Sequence, residues 1–312
     1  IVNPAATRAR SRLIGRVVDV LTPFGLLQLR STRGPGDAAR FARDAADAGA
    51  RVLVTVGGDG TVTQVAETAA RRGLIVAPVP AGGANIFSRA LGWPASSTRA
   101  AQALAPALAA GIVREATVGE VTTGSRRRPF IANAGVGIDA EVVEWVETRP
   151  NVKARLRQAA FGIGASVAAS RALRDPPVLS VRVAGGPRLT AAALAVAVGS
   201  PYTYLGPRAV HALPAAAFDG VLAWLAMPEI TPARLAELAA ESIRGTARHL
   251  GSGRMAAGHA TAIEVECDRA VAVQADGEPL GSHGSVLFAA GPTLRVLVPP
   301  GPSAAPPLKS PP

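Results

Sequence analysis

Three carboxylates in this 312-residue chain stand beside glycines in settings suited to chemistry. The first is Asp59, in Gly57-Gly58-Asp59-Gly60-Thr61. The loop follows an apolar, β-branched run over residues 52–56 that reads as a buried strand. Helical spacing then resumes at Val62, Val65, Ala66 and Ala69. Glycines at such a break permit positive φ and remove the Cβ atoms that keep an anion off the backbone. The amides they expose lie at a helix N-terminus, where the partial positive charge favours phosphate. A carboxylate beside phosphates is repelled unless a divalent cation lies between them, and Mg²⁺ held by one carboxylate plus phosphate oxygens is the common arrangement. The loop therefore reads either as a metal–nucleotide site or as a plain strand-to-helix turn. It is not a P-loop, since no Gly-Lys-Ser/Thr follows, and Thr63 stands where a dinucleotide fingerprint needs its third glycine.

The second carboxylate is Asp219, in Ala216-Ala217-Phe218-Asp219-Gly220-Val221, a segment that reads equally well as a turn. The third is Glu278, after Val271-Ala272-Val273-Gln274-Ala275-Asp276-Gly277. Asp-Gly is the strongest short hairpin signal, so Glu278 can be explained as a hairpin residue without any catalytic role. Both tyrosines cluster in Tyr202-Thr203-Tyr204-Leu205-Gly206, and His211 reads as a structural histidine.

The elements that must position these groups fall into two textures. Over residues 1–115, strands alternate with helices: a strand end at Ile1-Val2, with earlier residues of that strand expected upstream, then a helix over 8–21 and a strand over 26–30. A helix capped by Asp37 over 37–48, the strand and helix around Asp59, and a strand over 74–80 follow. The glycine turn Pro80-Ala81-Gly82-Gly83-Ala84-Asn85 opens a helix over 86–91, and a helix over 97–110 closes this half. Alternation of this kind predicts a mainly parallel sheet covered on both faces, with ligands at the carboxyl ends of its strands. From about residue 116 short β-rich runs dominate: 118–121, 130–134, 178–183, 191–198, 221–226, 262–265, 270–274, 285–289 and 293–298. Helices are expected near 154–173 and 232–250. The expected fold is α/β, an N-terminal mainly parallel nucleotide domain over 1–115 plus a predominantly antiparallel C-terminal domain over 116–290. Residues 291–300 are a candidate to rejoin the first, and 301–312 form a Pro-rich tail.

Composition narrows the classes. The net charge is +11, but nearly all of it is arginine scattered along the chain, with Arg126-Arg127-Arg128 the one compact cluster. Nucleic-acid binders concentrate charge on one face or interleave it with aromatics, so no nucleic-acid partner is expected. Attraction to an anionic membrane surface and a merely basic surface both fit. No apolar run approaches the ~18 residues of a membrane span. The lone Cys267 excludes an internal disulfide and, with no signal peptide visible, suggests a cytoplasmic protein. The 154–173 helix, with Arg155, Arg157 and Arg171 among Leu156, Phe161, Ile163 and Val167, reads either as core-packed or as lying at a membrane.

Taken together, the glycine–aspartate loop and the downstream Pro80-x-Gly-x-x-Asn85-x-Phe87-x-Arg89 resemble the catalytic domain of the diacylglycerol kinase and sphingosine kinase family, bacterial lipid kinase type. The resemblance extends through Asn3-Pro4, Thr32 with Gly36-Asp37-Ala38, Asn133-Ala134-Gly135-Val136-Gly137-Ile138-Asp139-Ala140, Pro201 to Gly206, Asp219-Gly220 and Gln274 to Glu278. It implies a fold of the NAD kinase/diacylglycerol kinase type with a β-sandwich-like second domain and an active site in the cleft between domains. It further implies that Asn3, Thr32, Gly57, Gly58, Asp59, Gly60, Thr61, Gly82 and Asn85 contact ATP, with Asp59 at the catalytic Mg²⁺. Asp219 would hold a structural Mg²⁺ with the carbonyls of Ala216 and Val221, and Glu278 would be the general base. The implied activity is transfer of the γ-phosphate of ATP to a hydroxyl of a diacylglycerol-like or other lipid alcohol at a membrane surface.

The sequence departs from the family pattern at Gly83 and Ala84, where hydroxyl residues are usual, at Ile86, where many bacterial members carry Asp, and at Phe218, where some carry a second Asp. Gln64 and Gly199-Ser200 depart as well. Ile86 and Phe218 bear on any extended Asp–water–Mg²⁺ network. The competing readings are a soluble-substrate kinase of the NAD kinase type and a non-catalytic nucleotide- or lipid-binding regulator.

Overall fold

The computed structural model describes residues 1–6, 8–9, 11–25, 27–149, 151–152, 158–251 and 253–301. Residues 302–312 of the expected Pro-rich tail and 154–157 of the expected helix, with Arg155, Leu156 and Arg157, lie outside them. The chain forms two compact units. One comprises Ile1–Val118 and residues 292–301; the other comprises Gly119–Gly291.

The first unit is built on a parallel sheet. β1 (Val52–Gly57) and β2 (Ile75–Pro80) pair in parallel, from Val52 with Ile75 to Gly57 with Pro80. Arg295 and Val296, near the end of the long strand Glu278–Leu297, add in parallel beside Ile75 and Val76. On the other side of β1, Val2 makes parallel bridges to Val56 and Ser31. Every residue of β2 from Val76 onward is buried, the mark of a strand covered on both faces. The helices pair around this sheet, α1 (Ser11–Leu21) with α5 (Ser97–Ala110) and α2 (Asp37–Asp47) with α3 (Asp59–Arg72), while α4 (Ile86–Ala90) packs on β2.

Two local expectations are corrected here. Residues 27–30 do not form a strand. Leu27 and Leu29 are exposed rather than alternating into a core, and only the Arg30 carbonyl and the Thr32 amide bond to Val2. Asp37 does not cap its helix: Gly36 occupies the N-cap, and the Asp37 carboxylate instead accepts from the Arg33 and Gly34 amides of the incoming loop.

The second unit is antiparallel. Its strands are the C-terminal part of β3 (Val113–Thr123), β4 (Arg126–Phe130), β5 (Asn133–Val136), β6 (Leu179–Val183), β7 (Arg188–Ala191), β8 (Ala193–Ala197), the hairpin of β9 (Thr203–Leu205) and β10 (Arg208–Val210), β11 (Leu222–Met227), β12 (Ala256–Ala260), β13 (Ala262–Ala275) and most of β14 (Glu278–Leu297). The short runs expected at 262–265 and 270–274 are two ends of one strand, β13. Those at 285–289 and 293–298 likewise belong to β14. Between Glu266 and Val271 the β13 register shifts, and the strand exchanges its neighbour β6 for β5 while keeping β14 on its other side. Such an irregularity bends a strand, and here it marks the point at which β13 changes partners. Phe130, Phe288, Leu179, Leu194, Leu222 and Ile263 are fully buried in its core. Between β5 and β6 come α6 (Ile138–Glu147), which the sequence reading missed, and α7 (Gln158–Arg174). Gly164 of α7 sits against Trp145 and Val142, leaving Ile163 and Leu173 exposed. The helix expected over 232–250 is two, α8 (Pro232–Arg244) and α9 (Arg248–Gly251).

Trp93 ties the last strand into the first unit, its buried indole Nε1 donating to the Leu297 carbonyl at 3.0 Å. Trp93→Phe leaves that carbonyl without this donor, at a cost of about 1–3 kcal/mol. Amide exchange in residues 75–80 and 292–297 should accelerate while β11 keeps its protection; unchanged exchange would contradict the role of this bond.

Candidate active site

The glycine–aspartate loop folds as β1, a turn at Gly58 and α3, with Asp59 the first residue of the helix. None of its glycines adopts a positive φ; they provide space instead. A Cβ on Gly57 would run into the Thr61 side chain, and one on Gly82 would stand 2.6 Å from the Gly58 Cα. The two glycine turns, 57–61 and 82–85, are therefore in backbone contact, which only unsubstituted residues allow.

Asp59 joins the same two turns by its side chain. Its Oδ2 accepts from the Ile86 amide at 2.9 Å and its Oδ1 from the Phe87 amide at 3.1 Å. Burial raises the carboxyl pKa above the ordinary aspartate value, although both amides and the Arg89 guanidinium pull the other way. Asn85 (2% exposed) sits in the left-handed region at φ 51°, which Asn tolerates better than most residues. Its side-chain amide folds back on Gly82 in both directions, accepting from the nitrogen and donating to the oxygen at 2.9 Å each. Asn85 thus shapes the turn that Asp59 holds.

Beside the loop lies a cavity of about 270 Å³, lined by Asn3, Thr32, Thr61, Arg33, Gly34 and Gln64 among others. It gathers three of the expected ATP contacts, Asn3, Thr32 and Thr61; Asn3 Nδ2 donates to Thr61 Oγ1 at 3.3 Å. Gly57, Gly58, Asp59, Gly60, Gly82 and Asn85 are not among its lining residues. Arg33 is a cation at this cavity that sequence reasoning did not single out, because nothing in its local sequence marks it. Gln64, noted as a departure, accepts from the Gly36 amide at 3.1 Å and so ties α3 to the loop before α2.

In the second unit, Glu278 opens β14 directly after a hairpin turn in which Asp276 and Gly277 both have positive φ. The hairpin signal was therefore right, and the residue it delivers is exposed and ion-paired with Arg128. Arg126, Arg127 and Arg128 lie on β4; Arg127 pairs with Glu120 across the β3–β4 ladder. Asp219 is exposed in the loop before β11, flanked by Phe218 (φ 59°) and Gly220 (φ 91°). The Phe218 ring lies over Gly199 and packs on the core, so the position before Asp219 is apolar. No hydrogen bond or ion pair among the described residues joins Asp219 to Glu278. A third carboxylate of this unit, Asp139, which the sequence marks only as part of a longer motif, accepts from Tyr202 and Gln274.

No cluster of three or more His, Cys, Asp or Glu suited to a metal occurs among the described residues. Mg²⁺ beside phosphates needs only one or two carboxylates, the remaining ligands coming from phosphate and water. Asp59 fits that part: it is a desolvated carboxylate whose charge a cation would stabilise, and each oxygen accepting one amide keeps a second lone pair. Asp219 is a single exposed carboxylate, and Ala216 and Val221 stand at the two ends of its short loop.

Residues 1–121 match the family described as the diacylglycerol kinase catalytic domain, and residues 132–298 the YegS C-terminal NAD kinase beta sandwich-like domain. A probable lipid kinase YegS-like from Stenotrophomonas maltophilia (strain K279a) is 43% identical over 74 residues, 22% of this chain and 24% of that protein. One from Enterobacter sp. (strain 638) is 30% identical over 153 residues, 47% of this chain and 48% of that protein. The chain thus aligns with about a quarter to a half of the length of these relatives. A solved structure of a putative diacylglycerol kinase from Bacillus anthracis str. Sterne shares the fold at TM-score 0.68 and 20% identity, over 96% of both chains. The two matched domains, in this order along the chain, establish that the protein belongs to the YegS-like, diacylglycerol kinase-like family of lipid kinases.

Proposed function

We propose that this chain is an ATP-dependent, Mg²⁺-dependent phosphotransferase that moves the γ-phosphoryl group of ATP to a hydroxyl of a diacylglycerol-like or other lipid alcohol. The observation that carries the reading is the Asp59 carboxylate bonded to the first two amides of α4. It makes one cradle of the two glycine turns, with Asn3, Thr32 and Thr61 beside it. Backbone close to backbone, with no Cβ in between, is the surface on which phosphates can approach amides.

Phosphoryl transfer asks a protein mainly for positioning and charge neutralisation. In this reading Gly57, Gly58, Gly60, Thr61 and Gly82 bound the phosphates, Asn85 keeps the second turn in shape, and Asn3 and Thr32 hold the nucleotide. Mg²⁺, when bound, supplies the positive charge that the phosphates require, and Asp59 is its protein ligand. Glu278 takes the proton from the lipid hydroxyl as that oxygen bonds to the γ-phosphorus and the bond to the ADP oxygen breaks. The Arg128 ion pair orients the Glu278 carboxylate and, being exposed, opens at little cost. Asp219, with the Ala216 and Val221 carbonyls, is assigned a structural Mg²⁺.

The family match favours a lipid acceptor over a soluble one. The net charge of +11 favours an anionic membrane surface as the place of reaction, on the cytoplasmic side. No helix among the described residues is long and apolar enough to cross a membrane.

The test is transfer of labelled phosphate from Mg·ATP to a total lipid extract, with the product identified by mass and NAD as the competing acceptor. A labelled lipid is expected; labelled NADP, or no transfer over a broad lipid panel, would overturn the assignment. Glu278→Gln should lower turnover by ~10²–10⁴-fold while ATP binding is retained, and wild-type turnover would remove the general-base role. Asp59→Asn should abolish transfer and accelerate exchange at the Ile86 and Phe87 amides. Retention of both would refute the cradle.

A further inference from the structure

Asp139 is a carboxylate without an ion-pair partner among the described residues, and the proposed chemistry does not use it. It lies in the first turn of α6, above the bare backbone of Gly135 on β5. A Cβ there would stand 2.6 Å from Asp139 Oδ2 and 3.2 Å from the Leu194 carbonyl. Oδ2 accepts from Tyr202 Oη at 2.8 Å and from Gln274 Nε2 at 2.6 Å. Gln274, 1% exposed, sits opposite Gly135 in the β5–β13 ladder. Its Nε2 also donates to Asn133 Oδ1 at 3.0 Å, and its Oε1 accepts from the Gly277 amide at 3.0 Å. Asn133 in turn donates to the Tyr202 carbonyl. Burial raises the Asp139 carboxyl above its ordinary range, and the Tyr202 hydroxyl is pushed well above 10 by burial and by that carboxylate.

Donor and acceptor roles give this chain of bonds a direction. A backbone N–H can only donate, so Gln274 must turn its oxygen toward Gly277 and its NH₂ toward Asp139, whose Oδ2 accepts. Gly277 is the residue before Glu278. The other side of the same turn is held by Asp276, whose carboxylate accepts from the amides of Ile131 and Ala132 at 2.9 Å and of Asn133 at 3.3 Å. With Asn in place of Asp139, the facing side chain could present its own NH₂ to Gln274 Nε2, a donor against a donor, and the link would lose its acceptor.

We propose that Asp139 is a positioning residue for Glu278, fixing through the Gln274 amide the Asp276-Gly277 turn from which Glu278 projects. The inference rests on the general-base reading of Glu278 for its kinetic consequence and on unit-internal geometry for its structural one. A base displaced by a fraction of an ångström to an ångström loses rate rather than nucleotide affinity, on the order of 10²-fold.

The experiment pairs steady-state kinetics with amide hydrogen exchange on Asp139→Asn and on Gln274→Met, which removes both ends of the link at similar volume. In each variant kcat should fall on the order of 10²-fold with KM for ATP unchanged. The Gly277 amide should exchange about tenfold faster, while β6 and β11 keep their protection. Wild-type kcat and Gly277 exchange in both variants would overturn the proposal, and so would exchange accelerated evenly over residues 119–291, which marks a merely structural role. If the wild-type protein phosphorylates no lipid, the kinase reading fails and the exchange measurement alone decides the proposal.

Discussion

The structure around the candidate site depends on one interaction, the Asp59 carboxylate shared between two backbone amides of a five-residue helix. A helix as short as α4 has little stability of its own, and its free N-terminal amides need acceptors. Asp59 supplies them from the start of α3 and so fixes the distance between two glycine turns. That distance is short enough for the Gly58 and Gly82 backbones to touch. The interaction is not free of cost. The carboxylate is partly buried, which raises its pKa, and an added positive charge would relieve it. A cradle of backbone amides with a desolvated carboxylate at its edge is suited to a cation–phosphate pair more than to a bare anion.

The second unit solves a different problem, that of presenting an exposed carboxylate with a defined orientation. Hairpin tips are commonly mobile, yet this one is held from both sides. Asp276 gathers three consecutive amides of residues 131–133, and Gln274 holds the Gly277 amide from within the sandwich. The irregularity in β13 contributes, since only beyond it does the strand pair with β5 and bring Gln274 opposite Gly135. Support of this kind beneath an exposed residue suits the general-base role proposed for Glu278.

Much of this was legible in the sequence because it is written locally. Gly57 to Thr61 and the Gly82–Asn85 turn are punctuation between strong periodic runs, and Asp276-Gly277 is a turn signal that needs no tertiary context. The reason for the glycines was less legible: their φ angles are ordinary, and the missing Cβ atoms matter because two loops distant in sequence touch. Strand continuity was hidden for a similar reason. Residues 266–269 and glycines 281, 284 and 291 look like breaks, but both strands run on past them, with β13 and β14 paired on either side of the irregularity. Residues 27–30 err in the other direction, with strand composition but almost no partner to pair with. Asp139 could not be read as a supporting group, since its partners Tyr202 and Gln274 lie 63 and 135 residues away.

The central claim is that the two glycine turns joined by Asp59 receive the phosphates of Mg·ATP. Backbone amide NMR of the whole chain during titration with a non-hydrolysable Mg·ATP analogue tests it most directly. The account predicts shifts concentrated at residues 32–36, 57–61 and 82–87, requiring the metal for full amplitude. Saturable binding that leaves these amides unmoved and perturbs only other parts of the chain would contradict it.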